Sequence, residues 1–143
     1  MSHVIPVIDL APALNGGAQA RREVAAEIDR TCREIGFFTI RGHGVDPALI
    51  DELRARSYEF FDLPLEQKQR MAPADRQTPR GYRALGFEAL SAGNDQATPP
   101  DLKEYYHIYP WGKIPDSLRE NAMEYYRQAE AFAAELLSWV EAH

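Results

Sequence analysis

Ile35-Gly36-Phe37-Phe38-Thr39-Ile40-Arg41-Gly42-His43-Gly44 joins three signals in ten residues. Gly36 follows a helical pattern, where a glycine commonly ends the last turn. Phe37 to Arg41 then reads as a strand rich in β-favouring residues. Gly42-His43-Gly44 reads as a tight turn at which the backbone approaches something closely. A helix that stops, a strand, and a glycine-flanked turn predict a fold that mixes helices and strands.

Upstream, Val24, Ile28, Cys32 and Ile35 recur at spacings of four, four and three, which predicts an amphipathic helix from the Asn15-Gly16-Gly17 break to about Ile35. Cys32 falls in that stripe and reads as a buried structural thiol. Before the break, Val4 to Leu10 reads as a short strand, kept at an edge or bulge by Pro6. Downstream, Asp46-Pro47 reads as a cap and first helical residue. The helix it starts carries Leu49, Ile50, Leu53, Phe60 and Phe61, stops at Leu63-Pro64, and is followed by a short helical piece from Leu65 to Met71.

Pro73 to Pro100 reads as mostly irregular, with a turn at Gly93-Asn94-Asp95. Lys103 to Tyr109 reads as a strand. Ser117-Leu118-Arg119-Glu120 matches a capping box. A long helix is predicted from there to the end, burying Leu118, Ala122, Tyr125, Ala129, Phe132, Leu136 and Val140. It meets no stop signal, so the polypeptide is expected to continue beyond His143.

Composition narrows the function classes. The 143 residues are 45% hydrophobic and 27% charged, an ordinary globular balance with room for one domain and a modest core. No apolar run approaches a membrane span, and no signal peptide opens the chain. One cysteine excludes an internal disulfide and makes a reducing cytoplasm the simplest setting. A net charge of -6 and a pI near 5.2 argue against nucleic acid as the main partner. Five basic residues between Glu66 and Arg83 (Lys68, Arg70, Arg76, Arg80, Arg83) form either a solvated face or an anion-binding loop.

Generic catalytic motifs are missing: no dinucleotide fingerprint, P-loop, nucleophile elbow or Cys-x-x-Cys. A non-haem iron site needs two histidines and a carboxylate. None of His3, His43, His107 and His143 begins His-x-Asp or His-x-Glu. His43 reads as a histidine bonding turn backbone, and His107 as a strand histidine capping a neighbour.

The order of motifs carries more than any one of them. Ile5-Pro6-Val7-Ile8-Asp9-Leu10 is followed by Cys32 to Ile40 and by Gly42-His43-Gly44-Val45. Phe60-Phe61-Asp62-Leu63-Pro64-Leu65-Glu66-Gln67-Lys68, Arg80-Gly81-Tyr82 and Asp101-Leu102-Lys103-Glu104-Tyr105-Tyr106-His107 complete the set. Over nearly its whole length the chain resembles the N-terminal region of the isopenicillin N synthase-like Fe(II)/2-oxoglutarate-dependent oxygenases.

The resemblance implies helices packed on a few strands that, in the full-length family, extend a double-stranded β-helix (jelly-roll) core. Residues 1–143 would be the N-terminal domain, with the catalytic C-terminal half absent. That half holds Fe(II) through His-x-Asp and a distal His, and 2-oxoglutarate through Arg-x-Ser. Neither cofactor is therefore expected on this chain alone, and no catalytic or metal-binding residue is assigned to it. The strand face carrying Glu104 and Tyr106 looks toward substrate in relatives, so both become substrate-contact candidates. Glu104 would suit a cationic group; the alternative is that it pairs structurally with a nearby arginine. Arg80 and Tyr82 are further candidates, because arginine can clamp a carboxylate bidentately. Expected partners are a small-molecule substrate and either the missing half or a second copy meeting the exposed strands. The rival reading is a stand-alone, non-catalytic binding or scaffold module derived from that family.

Overall fold

The computed structural model describes residues 4–75, 77–89 and 99–142. The turn expected at Gly93-Asn94-Asp95, together with Arg76, His3 and His143, lies outside them. The fold is α+β. Residues up to Pro47 pack with those from Tyr125 onward as one compact unit, and Ala48–Glu124 forms another.

The first unit starts with β1 (Val7–Asp9), α1 (Ala11–Asn15), α2 (Ala18–Glu34) and β2 (Thr39–Arg41). β1 and β2 pair in parallel, Val7 opposite Thr39 and Ile8 opposite Ile40. Parallel neighbours need a crossover, and α1 with α2 supplies it. Pro6 lacks an N–H but its carbonyl accepts from the Thr39 amide at 2.9 Å, and the Leu10 amide donates to the Arg41 carbonyl at 2.9 Å. The strand expected over Val4–Leu10 is thus shorter, because Leu10 already serves as the N-cap of α1, a short helix with Pro12 in its first turn.

α2 ends as expected. The amides of Ile35 and Gly36 both reach back to the Thr31 carbonyl, at 2.9 and 3.2 Å, and Gly36 has φ +95°. Gly42 also behaves as expected. With φ +65°, a Cβ there would sit 2.7 Å from Asp9 Oδ1 and 2.9 Å from the Ala11 Cβ. Only a glycine lets the end of β2 come that near β1.

The buried face of α2 is Val24, Ala25, Ile28 and Thr31, which corrects the expected stripe. Cys32 is exposed. At 3.6 residues per turn, Cys32 lies about 80° around the helix from Val24, whereas Thr31 is only about 20° away. Ile8, Leu10, Ala13, Val24, Ala25, Ile28 and Trp139 form this unit's core, with Phe38, Ile40, Phe132 and Leu136 against it.

The second unit holds α3 (Pro47–Phe61) from Ala48 onward, α4 (Leu65–Gln69), β3 (Gly81–Arg83), β4 (Tyr105–His107) and the first part of α5 (Asp116–Glu141). Pro47 is the first residue of α3, as expected. β3 corrects the expectation of an irregular stretch, within which it lies. It pairs antiparallel with β4, Gly81 opposite His107 and Tyr82 opposite Tyr106. β4 itself is shorter than the expected Lys103–Tyr109 strand. Phe60, Tyr82, Ile114 and Leu118 form the core, and Phe60 meets Phe61, Tyr82 and Tyr106 edge-on, at centroid distances of 5.3, 6.0 and 5.2 Å. Such T-shaped contacts favour the ring quadrupoles.

α5 starts two residues earlier than the capping box implies. The Pro115 carbonyl accepts from the Leu118 and Arg119 amides at 2.9 and 3.0 Å, so Ser117 is inside the helix rather than capping it. Leu118 and Ala122 are buried as expected, but Tyr125 and Val140 are exposed and Trp139 takes the core position. No helix among the described residues is long and apolar enough to cross a membrane.

Burial separates two residues of α2 sharply. Ile28 is 5% exposed, so Ile28→Ala should lower stability by about 2–5 kcal/mol in denaturant melts. Arg22, which bonds Gln19 at the surface, should tolerate alanine with a change under about 0.5 kcal/mol. Equal effects would show that the buried face is misassigned.

Candidate functional site

Of the four residues singled out in the sequence, Tyr82, Glu104 and Tyr106 come together on or beside the β3–β4 ribbon. Side chains alternate along a strand, and Tyr82 and Tyr106 face each other across the ladder. Glu104, two residues before Tyr106, is the diagonal neighbour of Tyr82 on the same face. Its carboxylate accepts from the Tyr82 hydroxyl and from Lys68 Nζ, at 2.8 Å to Oε2 and 3.0 Å to Oε1. Lys68 also donates to the Phe61 carbonyl at 2.8 Å. Lys68 is 7% and Tyr82 1% exposed. Glu104 therefore pairs with a lysine from α4, where an arginine is the expected alternative.

The electrostatics follow from these contacts. The Lys68 ammonium, aided by the Tyr82 hydroxyl, holds Glu104 below the ordinary carboxylate range. Burial, then the adjoining carboxylate, pushes the Tyr82 phenol well up. Burial also raises Tyr106, whose hydroxyl donates to the Lys113 carbonyl at 2.7 Å. On the opposite face Arg83 is buried, and the β4 side is more open. There Lys103 meets Glu88 at 2.6 Å, the Tyr105 hydroxyl donates to Glu88 at 2.6 Å, and Tyr105 stacks on His107 at 4.5 Å. Exposed pairs of this kind contribute little to stability.

Arg80 stands apart from Glu104. It lines a cleft of about 320 Å³ with Met71, Pro73, Ala74, Asp75 and Lys113 among its neighbours. Gly81 shapes one wall: with φ +93°, a Cβ there would lie 2.9 Å from the Met71 carbonyl oxygen and 3.1 Å from Pro73 Cδ. The Asp75 carboxylate accepts from the Gln77 amide at 2.9 Å, the Thr78 amide at 2.7 Å and the Thr78 hydroxyl at 2.6 Å, and these Thr78 bonds lower its pKa most. Arg83 braces the same loop through the Asp75 and Thr78 carbonyls and lies over Phe87 at 4.1 Å.

The histidines behave structurally. His43 Nδ1 accepts from the Val45 amide at 3.2 Å, and His107 Nδ1 lies 2.8 Å from the Pro79 carbonyl. Among the described residues, no group of three His, Cys, Asp or Glu is placed to hold a metal ion. The described residues do not fit an iron centre. Lys68 and Lys113 join the site without having been singled out in the sequence. Lys68 figures there only within a basic stretch, and nothing local announces that a lysine in a short helix is buried.

A model described as "non-haem dioxygenase in morphine synthesis N-terminal" matches residues 5–131. The chain belongs to this family. Among curated relatives, this dioxygenase N-terminal domain is 32% identical over 123 residues to homoarginine-6-hydroxylase 2-ODD-C23.2 of Arabidopsis thaliana, an alignment that covers 79% of the chain and 33% of the relative. Among solved structures it resembles a full-length Neurospora crassa protein in complex with alpha-KG, with TM-score 0.74 and 26% identity over 96% of this chain and 46% of that one. It also resembles JOX2 in complex with 2OG, Fe and JA, with TM-score 0.66 and 30% identity over 90% and 37%. The dioxygenase domain spans about a third of the length of the curated relatives it matches.

Because Glu104 is ionised more readily in the folded state, its stabilising effect is complete above the ordinary value of 4.5 and is lost as pH falls below it, through the lower folded value. Glu104→Gln leaves Lys68 without a counter-charge. It should cost about 2–4 kcal/mol near pH 7, discounted for partial exposure, and less below about pH 4. Urea melts across pH would measure both; a penalty that does not shrink in acid would rule out the ion pair as its cause.

Proposed function

We propose that this chain is the N-terminal portion of a non-haem Fe(II)/2-oxoglutarate-dependent dioxygenase that oxidises a small organic substrate. Its part is to support the core and to shape the substrate pocket. The observation that carries this reading is the match of nearly all of this chain to less than half of the full-length Neurospora crassa protein in complex with alpha-KG.

In this reading iron and 2-oxoglutarate, when bound by the whole protein, supply the oxidising chemistry. The residues of this chain position and enclose substrate. The β3–β4 ribbon is suited to that task because its inner face is already satisfied: Glu104, Lys68 and Tyr82 neutralise one another, and Tyr106 is held by the Lys113 carbonyl. A rigid wall holds a ligand in a reactive geometry better than a mobile one. Tyr82, Glu104 and Tyr106 form that wall, and Arg80 is the group left to reach a ligand. The partner for the open edges of β1 and β2, and for exposed Val4, Ile5, Val7 and Phe37, is the C-terminal half; without it, a second copy takes its place.

Calorimetry of the 143-residue chain with anaerobic Fe(II) and 2-oxoglutarate should show no stoichiometric micromolar binding. The chain joined to a C-terminal half carrying His-x-Asp and a distal His should convert 2-oxoglutarate to succinate. Tight Fe(II) binding through His43 or His107, or no succinate from the joined protein, would overturn the proposal. Light scattering of the chain alone should report a dimer or larger; a monodisperse monomer with strongly protected amides would favour the stand-alone module.

A further inference from the structure

The charge of Glu104 is answered inside the fold. A carboxylate offers about four lone-pair sites. Lys68 Nζ approaches both Glu104 oxygens, at 2.8 Å to Oε2 and 3.0 Å to Oε1, and the Tyr82 hydroxyl donates to Oε2. Lys68 is not free to swing away. Its ammonium also donates at 2.8 Å to the carbonyl of Phe61, the last residue of α3, where a carbonyl has no partner within the helix. The three donors of the ammonium are thereby engaged. The Lys68 side chain is 9% exposed and that of Glu104 25%, so the solvent-facing edge belongs to a neutral pair. A cation arriving there meets the ammonium as well as the carboxylate, and attraction and repulsion largely cancel. Tyr106 beside it is half-buried, with its hydroxyl proton given to the Lys113 carbonyl.

We propose that Lys68 is the specificity-determining residue of this wall: by cancelling Glu104 it selects a substrate that presents an uncharged group to Glu104 and Tyr106, and gives a cationic group no hold. This rests on the oxygenase reading and narrows its substrate class. Glu104 by itself would suit a cation; the buried lysine from α4 converts it into a neutral surface. The uncharged group packs on the Tyr106 ring, whose hydroxyl oxygen keeps a lone pair to accept a hydrogen bond. Removing the Lys68 charge alone should therefore create affinity for a cation where the unaltered wall has none.

Titration of the ¹⁵N-labelled chain at about pH 7 with benzylammonium, beside neutral benzyl alcohol, tests it. The unaltered chain should prefer the cation by no more than about two-fold. Lys68→Met should prefer it by at least about ten-fold, with saturable shifts at the Tyr82, Glu104 and Tyr106 amides. Adding Glu104→Gln to Lys68→Met should abolish that preference, and Lys68→Arg, which keeps the charge, should behave as the unaltered chain does. A lysine with a structural role alone would change stability without creating a Glu104-dependent preference for a cation. Lys68→Gln keeps a donor for the Phe61 carbonyl and reads the same gain where Lys68→Met unfolds. The proposal is overturned by an unaltered chain that prefers benzylammonium ten-fold with shifts at those amides, by folded uncharged variants that gain no preference, or by failure of both uncharged variants to fold. Succinate formation by the joined protein is read separately. Turnover with a wall that holds cations fails this proposal alone, and an indifferent wall in a protein without turnover fails the oxygenase reading alone.

Discussion

A lysine ammonium withdrawn from water must meet a counter-charge within the same fold, and Lys68 meets Glu104. Much of the second unit is arranged by that need. α4 has to present Lys68 inward, the residue before β4 has to place Glu104 on the matching face, and the Tyr82 hydroxyl from β3 donates a further hydrogen bond to the same carboxylate. A slip of one residue in β4 would send Glu104 to the solvent face and bring Tyr105 inward, leaving the ammonium stranded. The pair adds little net stability over an apolar substitute, but breaking it is costly. Its structural effect is to hold one register of a ribbon whose strands are only three residues long.

That register also sets the surroundings of the cleft. Tyr82 meets Phe60 edge-on, and its amide donates to the Met71 carbonyl at 3.2 Å, which draws Met71 against Gly81. The ribbon thus separates two kinds of charge. On its inner face charges are paired and withdrawn, while at its edge Arg80 and Lys113 line the cleft.

Helix ends and glycine turns are legible in the sequence because their causes are local. Gly36 and Gly42 adopt the left-handed backbone that their neighbours cannot share easily. Pro47 opens α3 for a similarly local reason. The features that escape a sequence reading depend on distant partners or fine angular position. β3 is a strand only because β4 lies beside it; in sequence it is three residues among prolines and glycines. Cys32 falls off the buried face because two successive spacings of four drift around a helix. Ser117 matches a capping pattern, yet Pro115 offers an earlier start. Alternation puts Glu104 and Tyr106 on one face correctly, but the lysine that answers Glu104 lies in another element and leaves no mark in the local pattern. Arg80, Tyr82, Glu104 and Tyr106 rest on resemblance to a family; no local pattern in the sequence picks them out.

The two units differ in how the chain supplies them. Ala48–Glu124 is one continuous stretch, whereas the other unit takes its strands from the beginning of the chain and Phe132, Leu136 and Trp139 from its end. On a ribosome adding about 5–20 residues per second, Ile8 and Leu10 emerge long before the tryptophan that covers them. The continuous unit can collapse on its own local contacts, which form fastest, while the earliest strands wait with their apolar face bare. Order of synthesis and order of burial are therefore opposed within this unit: its strands are made well before the end of α5 that completes their core.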